Sequence, residues 1–90
     1  MPQAIVDPAE LRRFAHNLQQ FNKELHEQML LLLGQLASLG DTWRDQEHEK
    51  FSREFEQTLK VVQHFTEAAE QHVPFLLRKA ERIEEYLQQR

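Results

Sequence analysis

Apolar residues recur in steps of three and four from Leu11 to Leu39, and again from Phe51 to Leu87, with one Gly-Asp turn between the runs. That spacing is the period of an α-helix, and each run is several times longer than a strand. Two glycines and three prolines leave few places where a helix must stop, and Glu, Gln, Leu, Arg, Lys and Ala dominate what remains. Propensity therefore agrees with period. The chain reads as all-α, two long helices joined by a short turn.

The first helix has a defined start. Asp7 suits the cap, Pro8 the first helical position, and Glu10 completes a capping box. Its stripe runs Leu11, Phe14, Leu18, Phe21, Leu25, Met29, Leu32, Leu36, Leu39. Gly40 is expected to end the helix in the left-handed conformation, giving helix one at about 8–39 and a turn at about 40–42. Gly34 costs roughly 1 kcal/mol against alanine inside a helix, so it is expected where a neighbouring helix comes close. Asp41 or Thr42 is expected to cap helix two, at about 43–88. Its stripe passes Phe51, Phe55 and Leu59, then follows a heptad through Val62, Thr66, Ala69, Val73, Leu76, Ala80, Ile83 and Leu87, with Tyr86 beside it. Pro74 removes a backbone donor and predicts a kink in a helix that otherwise continues.

A connection of about three residues folds two helices back as an antiparallel hairpin. At ~1.5 Å per residue they measure roughly 48 and 70 Å. The end of helix two, with Leu76, Leu77, Ile83, Tyr86 and Leu87, is therefore expected to overhang helix one. Leu30, Leu33 and Ala37 on the first helix, and Val61, Phe65, Ala68, His72 and Phe75 on the second, widen both apolar faces beyond what one hairpin uses. A chain of this size, read as a single domain over 1–90, buries only about 60% of its unfolded surface. Cysteine is absent, so disulfides give no help. The economical solution is dimerisation into an elongated four-helix bundle, self-paired or paired with a similar hairpin. Leu18, Phe21, Leu25, Leu32, Phe55, Leu59, Val62, Phe65 and Leu76 are the residues expected to form its core and dimer seam.

Several chemistries find no support. Fifteen acidic against eleven basic residues give a formal net charge of -4, and no basic stripe exists to neutralise phosphates. Nucleic acid is not an expected partner, and an anionic membrane surface is disfavoured on the same grounds. Neither a secretory leader nor a spanning segment is read in the sequence; Met29–Leu33, the longest apolar run, is too short to cross a bilayer. That run has no basic opposite face, so it reads as core or dimer seam. His16, His26, His48, His64 and His72 form no Glu-x-x-His or His-Glu-x-x-His pair. No metal and no other cofactor is expected. Ser38 and Ser52 lie in no nucleophile motif, and Glu47, Glu49, Glu84 and Glu85 read as solvated helix faces. The expectation is no enzyme.

The only tryptophan stands in "SLGDTWRDQEHEKF", between the Gly-Asp turn and a run of charges. Its apolar neighbours must come from the two helix ends in space. Trp43 at the turn, Phe51 eight residues on and Phe55 four further, within a two-helix chain of this length without cysteine, resemble the Trp-x-Gly (WXG) family. These are the Esx-type small proteins exported by type VII secretion systems. Two positions depart from that pattern. Asp45 stands where the family has glycine, and Tyr86, the aromatic half of the family's export signal, is followed four residues later by Arg90 where the family has an acidic residue.

The resemblance implies a hairpin dimer made in the cytoplasm and secreted by a type VII system, with Trp43, Asp45 and Phe51 as the turn motif. Tyr86 is what remains of the export signal. Partners would be a similar hairpin, the secretion machinery or a larger co-exported protein. The competing expectation is a cytosolic helical interaction or chaperone-like module that is not exported.

Overall fold

The computed structural model describes residues 6–89, and they form two helices, α1 (Pro8–Leu39) and α2 (Gln46–Gln88), folded back on each other. The particle is a rod, 69 × 19 × 14 Å between Cα extremes. α1 starts on the residue suited to it: the Asp7 carboxylate accepts from the Ala9 N–H at 2.9 Å, and Pro8 follows in the first turn. At its other end the chain tightens. The N–H groups of Gly40, Asp41 and Thr42 donate to the carbonyls of Ala37, Ser38 and Leu39, and Trp43 N–H donates to the Leu39 carbonyl at 2.8 Å. These bonds satisfy carbonyls that a helix end leaves open.

Two expectations about the turn are corrected. Gly40 is not left-handed; it keeps right-handed helical angles, φ -61° and ψ -17°. Glycine fits there for space, because a Cβ would lie 3.2 Å from the Ala37 carbonyl oxygen and 3.7 Å from His48 Cε1. Helix two begins at Gln46, not at 43, and its cap is Asp45 instead of Asp41 or Thr42. The Asp45 carboxylate accepts from the His48 N–H at 3.0 Å, which is the geometry a cap requires. Trp43 and Arg44 therefore belong to the connection. Past Pro74 the helix continues unbroken.

The seam between the helices is narrow. α1 contributes Leu11, Ala15, Leu18, Asn22, Leu25, Met29, Leu33 and Leu36, each buried or half-buried. α2 contributes Phe55, Leu59, Val62, Thr66, Ala69, Val73, Leu76, Ala80 and Ile83. Small side chains let the helices approach: Ala15 and Ala80 have no exposed surface at all. The buried Thr66 hydroxyl is satisfied by the Gln63 carbonyl at 2.8 Å. Asn22 is 3% exposed, and neither side-chain amide atom has a hydrogen-bond partner. An unpaired buried group costs about 1–3 kcal/mol, a cost the seam carries at mid-length.

Near the open end, Arg12 Nε donates to Glu84 Oε2 at 3.2 Å, and a second nitrogen of the same guanidinium pairs with Glu84 Oε1. This clasp ties the second turn of α1 to the last turns of α2, so the expected overhang is mostly covered. Leu76, Leu77 and Ile83 are half-buried, and Tyr86 and Leu87 alone of that group stand clear.

The hydrogen bond from Arg12 holds the Glu84 carboxyl below the ordinary carboxylate range; partial burial works against this, and the Arg12 charge adds to it. A carboxyl lowered in the folded state contributes stability above its unfolded value of about 4.3 and loses it as pH falls through the folded one. The proton signal of Arg12 Nε is accordingly expected to be protected at pH 5 and to exchange freely once Glu84 is protonated. In Glu84→Gln it should lack that acid-dependent step, and a step that persisted there would disprove the clasp.

Candidate interaction surface

Helix geometry divides the apolar residues of α1 into two faces. Phe14, Phe21, Leu32 and Leu39 are separated by seven, eleven and seven residues, close to whole numbers of turns at ~3.6 residues each, so they share one line along the helix. All four are exposed. On α2, Val61, Phe65 and Phe75 are exposed likewise. The Phe21 and Phe65 rings meet edge to face across the groove, centroids 6.5 Å apart and planes at 89°. That contact puts the two lines on the same side of the hairpin, as one apolar face.

Five of the six phenylalanines are exposed, Phe55 being half-buried. A hairpin satisfied by itself would not leave its largest apolar side chains in water. Toward the bend the face deepens into a groove lined by Leu31, Leu32, Leu36, Leu39, Phe51 and Phe55. Gly34 also lines it, and a Cβ there would meet nothing within 4 Å. The close neighbour expected at Gly34 is thus not α2.

At the bend, Trp43 is half-buried and holds an aromatic chain together. Its ring lies 4.9 Å from that of His48 at 65° and 6.0 Å from that of Phe51 at 35°, and Phe51 stacks on Phe55 at 5.5 Å and 15°. Offset and edge arrangements of this kind are each worth about 0.5–1.5 kcal/mol beyond burial. Arg44 Nε donates to the Gly40 carbonyl at 3.1 Å, bracing the reversal.

Of the residues singled out from sequence, Leu59 is buried, and Leu18, Leu25, Phe55, Val62 and Leu76 are half-buried in the seam. Phe21, Leu32 and Phe65 lie on the outer face, and Phe51 sits 43% exposed at its bend end. Tyr86 is 69% exposed on the last turns of α2. Arg90 lies outside the described residues. Leu30 and Leu31, read as core or dimer seam, are exposed on α1 and take no part in the hairpin seam. Leu33, read from sequence as part of an extra stripe, lies in the seam, and Ala15 and Asn22 occupy seam positions that apolarity alone did not mark. Their signal is a heptad register, Leu11-Ala15-Leu18-Asn22-Leu25-Met29. Among the described residues no group of three His, Cys, Asp or Glu side chains could hold a metal, and no helix is long and apolar enough to cross a membrane.

The elongated helical hairpin, with its aromatic bend and exposed apolar face, defines the class as small helical-hairpin proteins. The chain belongs to the WXG100 family, proteins of 100 residues with WXG, whose pattern matches residues 3–87. It is similar to the crystal structure of EsxB, a secreted protein of Bacillus anthracis str. Sterne, at 28% identity and TM-score 0.80, covering 96% of this chain and 98% of that one. A glycine-to-alanine mutant of the same protein matches at 28% identity and TM-score 0.79, over 94% and 98% of the two chains. No curated protein matches the chain. At Asp45, where the family motif has glycine, the backbone is extended, φ -100° and ψ -178°, a region any residue adopts. Aspartate there supplies the helix cap as well.

Proposed function

We propose that this chain is a substrate or small partner of a type VII secretion system and acts by recognition, without chemistry of its own. It pairs through the Phe14–Phe21–Leu32–Leu39 and Val61–Phe65–Phe75 lines with a second hairpin, a copy of itself or a similar chain, to give a four-helix bundle. The observation that carries this reading is the continuous exposed aromatic face on a WXG100 hairpin. Two hairpins laid face to face bury what neither can bury alone.

Tyr86, exposed on α2, is the side chain offered to the export machinery, and Trp43 is the aromatic anchor at the opposite end. Arg90, which stands where the family has an acidic residue, favours a second reading: a cytosolic helical module, chaperone-like, that stays in the cell. One experiment separates them. In a host with an intact type VII system, the protein is expected in the medium only while that system works, and Tyr86→Ala should reduce its export. Equal retention with and without the system would leave the cytosolic module standing.

A further inference from the structure

We propose that His48 makes the bend sensitive to pH: on taking up a proton, its ring leaves the space between Gly40 and Trp43 and gives the indole to solvent. The ring is half-buried, edge-on to Trp43, with Cε1 3.7 Å from the point where a Cβ on Gly40 would lie. Its Nε2 is sealed from water and has no hydrogen-bond partner. A neutral imidazole fits there with its proton on Nδ1, so that Nε2 carries a bare lone pair.

Protonation changes that balance. It places an N–H and a full charge on an atom with no acceptor in reach, and buried donors or charges without partners are expensive.

The charges around it do not compensate. α1 offers none, since no titratable residue occurs between Gln28 and Gly40. In the connection, Arg44 is a like charge held on the Gly40 carbonyl, the Asp45 carboxylate is engaged by the His48 backbone N–H, and Asp41 is exposed. On α2, Glu47, Glu49 and Lys50 are exposed, so water screens them. The favourable course for a charged ring is outward. Trp43 then loses its nearest aromatic neighbour, and the bend presents an accessible indole under mild acid that it holds packed at neutral pH.

Trp43 is the only tryptophan, so its emission reports on this site alone. The test is the emission spectrum of the intact chain from pH 8 to 5, with helical circular dichroism recorded alongside, in wild type, His48→Gln and His48→Phe. The expected result is a red shift in the wild type within the pH 5–8 window where histidine changes charge, with helicity retained, and no shift in either variant. His48→Phe keeps a ring in the space and guards against a merely unpacked bend. The other histidines, at 16, 26, 64 and 72, are exposed and remain in both variants as internal controls. An unchanging wild-type spectrum, or the same shift in the variants, would overturn the proposal.

Discussion

Replacing Phe65 with glutamate is expected to leave a folded helical hairpin that no longer pairs. The side chain is 53% exposed, so the substitution opens no cavity in the hairpin seam. Within the hairpin it removes the edge contact with Phe21, a loss of about 0.5–1.5 kcal/mol. In the proposed pair, by contrast, Phe65 would lie near the centre of the apolar face, where a carboxylate would be stripped of water without a counter-ion. Central aromatic residues of an interface cost about 2 kcal/mol or more when lost, so affinity should fall at least ~30-fold. Sedimentation of the variant over a concentration series checks this. Gln19→Glu adds the same charge beside Asn22 and Pro74, among the polar residues of a separate groove, and should leave pairing intact. Equal effects from the two would mean that charge, and not the face, governs association.

Leu59→Ala should act the other way, on folding before pairing. Leu59 is the largest buried side chain of α2 and shares its surroundings with Met29 and Leu33 of α1. Truncating a buried leucine costs about 2–5 kcal/mol. The rod is thin and its seam partly open, which allows some collapse around the gap and places the loss near ~2–3 kcal/mol. For a domain of this size that lowers the melting temperature by roughly 10–20 °C, readable by circular dichroism at a fixed protein concentration. A change of a degree or two would mean that the seam is not what holds the hairpin together.

The α2 half of the seam was legible from the sequence because its heptad, Val62 to Ile83, is mostly apolar and keeps one register. The α1 half was not. There the apolar residues belong to two neighbouring faces: Leu11, Leu18, Leu25, Met29 and Leu36 point across the seam, while Phe14, Phe21, Leu32 and Leu39 point out beside it. Read by apolarity they merge into one stripe, and the seam's own small and polar members, Ala15 and Asn22, drop out. Hydrophobic period finds a helix and its apolar side, but close helix packing selects for small volume, which a hydropathy pattern does not register.

The connection was misread for a related reason. Asp41, Thr42 and Asp45 are all competent caps, and propensity does not rank them; the aromatic packing of Trp43 on His48 and Phe51 holds residues 43 and 44 out of the helix and leaves Asp45 in the cap position. His48 itself lay hidden among Glu47, Glu49 and Lys50. Nothing in that charged run marks one imidazole as the ring that covers the tryptophan.

Everything proposed about partners rests on the apolar face being covered in solution, and the most direct measurement is the mass of the pure protein by light scattering behind a sizing column, with helicity recorded on the same sample. The expected result is an elongated, helical particle of twice the 10.8 kDa chain mass, or of a chain-plus-partner mass once a similar hairpin is added. A fully helical particle of one chain mass, unchanged by added hairpin and stable at high concentration, would contradict it.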